Sequence, residues 1–274
     1  MNILVTGANG FIGRRLSSRL RSLGHQVFGL SQDISKPFSL DRHYDLVIHL
    51  AAYNITNVGA QDASLYTAVN VDGTRHLLQA VHTQKFIYLS TTKVYKTQGL
   101  PIIEDSPLAP YGAYEQSKMK AEAICQDFFK KESLVILRSV NVMGWGQAAK
   151  AVIPVFFQKA KANQPLDIIN AAQTPMQFVY VEDLIDAIEA VMNSDKGSGI
   201  FNIAHEETIS LEQLARTIIT MTHSSSILNI NKNASETLFS QVVCDRVYQS
   251  LGWKAKTGLT KILELYQKEY AKTS

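Results

Sequence analysis

A glycine-rich turn near the start of the chain limits the fold more than any other feature. Ile3-Leu4-Val5 is an apolar run that passes through Thr6 into Gly7-Ala8-Asn9-Gly10-Phe11-Ile12-Gly13. Ile12, Leu16, Leu20 and Leu23 then recur at helical spacing until Gly24 stops the pattern. A buried strand that turns at once into a helix opens a βα unit, and a parallel neighbour strand needs that helix as its crossover. Glycines at the junction permit a tight turn. They also let backbone N–H groups approach a pyrophosphate at the helix N-terminus, where the macrodipole favours negative charge. The spacing is GxxGxxG rather than GxGxxG. An ordinary strand–helix turn can share this composition, but the position at the first βα junction favours phosphate binding.

The alternation continues along the first half. Val27-Phe28-Gly29-Leu30, Leu46-Val47-Ile48-His49-Leu50, Phe86-Ile87-Tyr88-Leu89 and Leu134-Val135-Ile136-Leu137 are apolar on consecutive positions, as strands buried on both faces must be. Helical patterns around residues 74–81 and 114–131 lie between them. This predicts an α/β fold with a doubly wound parallel sheet. The pattern loosens after Val142. Gly144-Trp145-Gly146 breaks the chain, residues 153–162 are helix-like, and residues 259–270 are amphipathic. Ser210-Leu211-Glu212-Gln213 reads as a capping box opening a helix with Leu214, Ile218 and Met221 inside. Residues 222–236 are polar and rich in Asn and Ser, and read as a loop. The expected division is residues 1–142 plus 177–204 as the sheet domain, and 143–176 plus 205–274 as a small, mixed C-terminal lobe.

Composition narrows the function classes. A chain of 274 residues with 46% hydrophobic side chains builds its core without disulfide or metal staples. Its 27 basic and 24 acidic residues are too balanced for a nucleic-acid binder held by charge. Cys125 and Cys244 cannot make a disulfide framework and no Cys/His cluster has zinc spacing, so no metal site is expected and a reducing, cytoplasmic setting fits. No apolar run approaches the ~20 residues of a membrane span. The opening residues read as a strand rather than a signal peptide.

Three further places carry chemistry. The dinucleotide rule expects an acid at the end of the second strand for the adenosine ribose. Ser31-Gln32 stands there, so the choice between NAD and NADP stays open, with Arg14 or Arg15 the nearest cations for a 2′-phosphate. Tyr114 and Lys118 are four apart and share a helix face. A tyrosine normally titrates near ~10, too high for acid–base work at neutral pH, and an adjacent ammonium or a cationic nicotinamide lowers it. Ser90-Thr91-Thr92 follows an apolar strand and sets hydroxyls at the carboxyl edge of the sheet, where open α/β sheets bind ligands. Taken singly, a solvated Tyr/Lys pair and a Ser/Thr-rich turn would be the commoner readings.

Taken together, these motifs resemble the extended short-chain dehydrogenase/reductases, specifically the NAD-dependent epimerase/dehydratase family. The resemblance runs nearly end to end. It includes Val5-Thr6-Gly7-Ala8-Asn9-Gly10-Phe11-Ile12-Gly13, His49-Leu50-Ala51-Ala52, Asn70-Val71-Asp72-Gly73-Thr74, Leu89-Ser90-Thr91-Thr92-Lys93-Val94-Tyr95 and the YxxxK. Leu137-Arg138-Ser139-Val140-Asn141-Val142-Met143-Gly144, Phe178-Val179-Tyr180-Val181-Glu182-Asp183 and Leu251-Gly252-Trp253 complete it. It implies a Rossmann-like fold with a C-terminal substrate lobe and NAD or NADP as cofactor. Catalysis would fall to Thr91, Tyr114 as acid/base and Lys118, which would also hold the nicotinamide ribose. Gly7, Gly10 and Gly13 would hold the pyrophosphate, and Asn9, Phe11 and Ile12 would belong to the same cofactor site. Ser31, Asp33, Ile34, Leu50, Ala51, Ala52 and Asn70 would line the rest of the cofactor, and Thr91, Thr92 and Asn141 would face the substrate.

The departures shape the activity the resemblance implies. Sugar-nucleotide 4,6-dehydratases of the family carry Asp-Glu after the catalytic Thr, where this chain has Thr92-Lys93, which argues against that elimination. Arginines that clamp a diphosphate are replaced by Met176 and by a stretch, residues 224–244, whose cation is Lys232. That leaves a diphosphate to cations such as Lys150 or Lys161. The expectation is an epimerase or 4-keto reductase acting on a sugar or sugar-nucleotide. The alternatives are a ketone or alcohol reductase with a small non-nucleotide substrate, and a dinucleotide-sensing regulator, against which the Thr91/Tyr114/Lys118 set argues. Family members dimerise through two helices, here residues 65–81 and 114–131, so a homodimer is expected.

Overall fold

The N-terminal apolar run forms β1 (Asn2–Thr6), and the glycine turn leads into α1 (Phe11–Ser22) and then β2 (Gln26–Gly29) and β3 (His43–His49). The computed structural model describes residues 1–54, 63–168, 172–230 and 238–273. Next come α2 (Ala63–Leu65), a π-helical stretch Tyr66–Asp72 and α3 (Gly73–Ala80), which form one continuous rod before β4 (His82–Thr91). The chain goes on through α4 (Ala113–Phe128), β5 (Leu134–Ser139), β6 (Asn141–Met143), α5 (Val152–Lys161) and β7 (Leu166–Ile168). It continues with β8 (Pro175–Tyr180), α6 (Val181–Met192), β9 (Gly199–Ile203), β10 (Thr208–Ser210) and α7 (Leu211–Met221). The last elements are β11 (Leu228–Ile230), α8 (Asp245–Leu251) and α9 (Leu259–Thr273).

Six strands pair in parallel in the order β2-β1-β3-β4-β5-β9. Alternate strand residues feed opposite cores, which is why these strands are apolar throughout. Ile3, Val5, Ile48 and Ile87 pack with Leu16 and Leu20 of α1 and with Leu184, Ile185 and Ile188 of α6. Leu4, Val47, Phe86 and Tyr88 pack instead with Leu77 and Leu78 of α3 and with Ala121 and Cys125 of α4. Helices therefore cover both faces, and the fold is the doubly wound, Rossmann-like sheet anticipated from the sequence. The chain leaves β1 toward β2 and returns to the other side at β3. That reversal between β1 and β3 is the topological switch point where such sheets bind ligands.

Beyond Val142 the strands are short and the sheets mixed. β6 pairs in parallel with β8, β8 pairs antiparallel with β10, and β7 pairs with β11. They pack with α5, α7 and α9 around Phe157, Phe178, Leu214 and Leu263. The Ser210 capping box forms as its spacing implies: the Ser210 hydroxyl accepts from the Gln213 amide at 3.1 Å, and the Gln213 side chain accepts from the Ser210 amide at 2.9 Å. Val247 of α8 and Trp253 join the same core as β1 and α1.

Two local expectations need correction. Leu23 is exposed rather than part of the buried face of α1, because the helix ends at Ser22 and Gly24, at φ +84°, turns the chain away after Leu20. Residues 222–236 are not simply a loop, since Leu228–Ile230 pair with Leu166–Ile168. Three-residue strands carry too little periodicity to show in sequence. Residues 231–236 lie outside the described residues.

Candidate active site

The glycine turn lies at the switch point with its steric reasons visible. The Gly10 amide donates to the Gly7 carbonyl at 2.9 Å, and Gly7 holds φ +66°. A Cβ on Gly13 would lie 2.8 Å from Ala8 Cα and closer still to the Gly7 carbonyl oxygen. A Cβ on Gly10 would meet only that same oxygen, at 3.1 Å. Gly13 is thus required by the packing of the helix on its own turn, while Gly10 is the less crowded of the two. Gly13→Ala should lose about 1–3 kcal/mol of stability, the usual cost of overpacking. Gly10→Ala should fold as the parent does yet bind NAD(P) more weakly. Thermal melts and cofactor titrations check both; a Gly13→Ala protein as stable as its parent would contradict the packing.

A hydrogen-bonded chain fixes the opposite wall. Thr6 Oγ1 accepts from the amides of Leu50 at 3.2 Å and Ala51 at 3.0 Å, so its own proton goes to His49 Nδ1 at 2.6 Å. His49 Nε2 then donates to Thr74 Oγ1 at 3.0 Å, and Thr74 donates to the Asn70 carbonyl at 2.7 Å. Burial first, then the Lys118 charge, hold His49 down to about 3, so it stays neutral at physiological pH. The backbone of Leu50 and Ala51 is thereby set against Gly7 of the glycine turn.

Asn70, Ser31 and Asp33 each make hydrogen bonds within the chain. The Asn70 side chain accepts from the Tyr53 amide at 2.7 Å and donates to the Tyr53 carbonyl at 3.0 Å and to Ser117 Oγ at 2.8 Å. It pins the loop after β3 to α4. Ser31 is exposed against Gln32, and Asp33 accepts from the amide and hydroxyl of Ser35 at 3.0 and 2.7 Å, capping its own turn. Ile34 is buried against Gly73. Arg15 donates to the Trp145 carbonyl at 2.7 Å and pairs with Glu182 at 3.3 Å, whereas Arg14 is exposed.

Tyr114 lies in the first turn of α4 with its ring 6.1 Å from that of Tyr66. One turn on, the buried Lys118 ammonium donates to the Leu89 carbonyl at 2.7 Å and lies 4.1 Å from the centre of the Tyr88 ring. This anchors α4 to the carboxyl end of β4, one residue from Ser90 and two from Thr91. The expected lowering of the phenol is absent here. Burial first, then the Glu115 and Tyr66 charges, push Tyr114 up to about 12, while burial pulls Lys118 down to about 7 against the Glu122 charge. The ammonium is turned to Leu89 and Tyr88, so burial outweighs attraction at both groups. The unfolded chain therefore binds more protons at Lys118 between pH 7 and 10.5, and stability rises with pH across that window. Lys118→Met should flatten this dependence, so that its melting temperature relative to the parent falls as pH rises from about 7 toward 10.5. A pH-independent difference would contradict this.

Past the end of β4, a cleft is lined by Thr91, Thr92, Lys93, Asn141, Met176 and Gln177, with Ser240 and Val242 opposite. Three substrate candidates thus share one wall. Tyr114 is not among the described residues lining it. Its neighbour Glu115 approaches the Lys93 ammonium at 4.0 Å. Lys150 and Lys161 are exposed and away from this lining.

The match to known proteins is as broad as the motifs. The profile of the NAD dependent epimerase/dehydratase family fits residues 3–204. The chain belongs to that family. It is an NAD(P)-dependent enzyme of the extended short-chain dehydrogenase/reductase type. The dTDP-D-glucose 4,6-dehydratase of Homo sapiens is 30% identical in an alignment of 244 residues that covers 82% of this chain and 69% of that protein. The dTDP-4-dehydro-6-deoxyglucose reductase of Escherichia coli is 26% identical, with 92% of each chain covered. A crystal structure of UDP-glucuronic acid 4-epimerase from Bacillus cereus, in complex with UDP-glucuronic acid and NAD, shares the fold with a TM-score of 0.87 at 23% identity over 100% of both chains.

One part of this family site was not read from the sequence. The buried Glu122 carboxylate takes Arg138 Nε at 3.1 and 3.2 Å and Nη2 at 2.6 Å, and also accepts from Ser90 Oγ. This ties α4 to β4 and β5 directly beneath Thr91. Two signals were available: Glu122 falls one turn after Lys118, and Arg138 is a charge inside an otherwise apolar strand, which demands a partner.

Proposed function

We propose that the chain transfers a hydride between NAD(P) and a carbinol or ketone of a sugar or sugar-nucleotide, as an epimerase or 4-keto reductase. The observation that carries this is the anchoring of the Tyr114/Lys118 helix to the carboxyl end of the strand that bears Thr91. The bound cofactor supplies or accepts the hydride. The free amides at the start of α1 would hold its pyrophosphate, with Ala51 and Ala52 along it and Lys118 at the nicotinamide ribose. Ser31-Gln32 leaves NAD and NADP equally open. The Thr91 hydroxyl would orient the reacting oxygen and Tyr114 would give it or take its proton. Thr92-Lys93 in place of Asp-Glu speaks against 4,6-dehydration.

The lobe of residues 143–176 and 205–274 would supply the substrate's far wall. Met176 in place of an arginine favours, as a second reading, a ketone or alcohol reductase without a nucleotide substrate. A homodimer through the helices of residues 65–81 and 114–131 is supported by exposed Leu65 and Phe128, and a cytoplasmic setting by the unpaired Cys125 and Cys244. Among the described residues no helix is long and apolar enough to cross a membrane.

The test incubates purified protein with NAD(P)H and 4-keto nucleotide sugars, and with NAD(P) and their 4-hydroxy counterparts, and identifies products by nuclear magnetic resonance. A reduced or C4-inverted sugar supports the reading. A 5,6-unsaturated or 4-keto-6-deoxy product would show dehydration instead.

A further inference from the structure

Lys93 has no role in the machinery described above, yet the fold places its backbone with care. It stands on the short 3-10 turn Thr92–Val94, and its amide donates to Thr91 Oγ1 at 3.3 Å. The residue is therefore locked two positions from the hydroxyl that would orient the reacting oxygen. Its ammonium reaches Glu115 only at 4.0 Å, and its side chain stays 50% exposed, so this pairing leaves the charge largely free for another partner. Among the described residues that line the cleft, Lys93 carries the charge; Asn141, Gln177 and Ser240 are polar but neutral. A cation in a concave wall loses water when a ligand enters, and only an anion on that ligand restores the loss with a charge-assisted hydrogen bond.

We propose that Lys93 binds a carboxylate carried by the sugar itself, which makes the substrate a uronate-type acidic sugar. This rests on the hydride-transfer reading given above. The location distinguishes a sugar carboxylate from a nucleotide diphosphate. In a pyranose the diphosphate leaves from C1, across the ring from a reacting C4. A carboxylate on C5 is the immediate neighbour of C4. Lys93 lies at the reacting end, beside Thr91, and so matches the carboxylate.

The test is isothermal titration of NAD(P)-loaded protein with UDP-glucuronate and UDP-glucose, which differ only in a carboxylate against a hydroxymethyl group. The parent should prefer UDP-glucuronate by about tenfold or more, the range of a charge-assisted hydrogen bond. Lys93→Gln should erase most of that preference and Lys93→Arg should keep most of it. Equal affinity of the parent for both sugars, including no binding of either, overturns the proposal, as does a preference that survives Lys93→Gln. An equal loss for both sugars in Lys93→Gln also overturns it, because the lysine would then hold the diphosphate. Should the preference and its loss appear while neither sugar is turned over under any cofactor, the carboxylate site stands and the hydride-transfer reading falls.

Discussion

Tyr114→Phe should lower turnover roughly 10²–10⁴-fold while leaving cofactor affinity close to the parent's, because general acid–base groups contribute in that range. Only a hydroxyl is removed. The ring keeps its contact with Tyr66, and the helix keeps its anchor through Lys118 and Leu89. Burial first, then the Glu115 and Tyr66 charges, push the phenol up to about 12, so in the free protein it keeps its proton. Loss of that donor should abolish delivery to the substrate oxygen without disturbing the glycine turn or the Ala51 wall. Rate measurements on an identified substrate, paired with NAD(P) titration, separate the two effects. Parent-like turnover in Tyr114→Phe would remove Tyr114 from the mechanism.

Glu122→Ala should be the most destabilising single substitution in the catalytic layer, at about 3–5 kcal/mol. Glu122 and Arg138 are 2% and 3% exposed and share a forked ion pair. Burial works against the guanidinium charge, and the Glu122 carboxylate more than offsets it. Without Glu122, Arg138 keeps only the Glu104 carbonyl at 3.3 Å and the face of Tyr95 at 4.7 Å, and Ser90 loses its acceptor. The helix bearing Tyr114 and Lys118 would loosen from β4, so activity should fall together with stability. Glu122→Gln, which keeps an acceptor oxygen of the same shape, should lose less. Urea denaturation gives the answer, and a loss below about 1 kcal/mol for Glu122→Ala would show that the pair does not hold these elements together.

The sheet was legible because its cause is local and repeated. Runs such as Val135-Ile136-Leu137 are buried on both sides, and a doubly wound sheet is the fold that needs them. The glycine turn was legible for a similar reason, since Gly13 leaves no room for a Cβ. The individual site contacts were less so. Asn70 reads as a cofactor contact in a motif, yet its partners are Tyr53 and Ser117, both distant in sequence. The tuning of Tyr114 and Lys118 depends on burial and on where the ammonium points, neither of which spacing contains. The small sheets escaped because β7 and β11 are three residues long and meet only through tertiary pairing.

The measurement that bears most directly on the whole account follows the near-ultraviolet absorbance of the reduced nicotinamide. Protein loaded with NAD(P) or NAD(P)H is mixed with sugar-nucleotide alcohols and ketones, in the parent and in Tyr114→Phe. The account predicts that the parent changes the oxidation state of its cofactor with at least one of them, whereas Tyr114→Phe binds the same ligand and leaves the signal nearly still. A parent that binds both cofactor and sugar yet never alters the cofactor's oxidation state would contradict hydride transfer and point to a dinucleotide sensor instead.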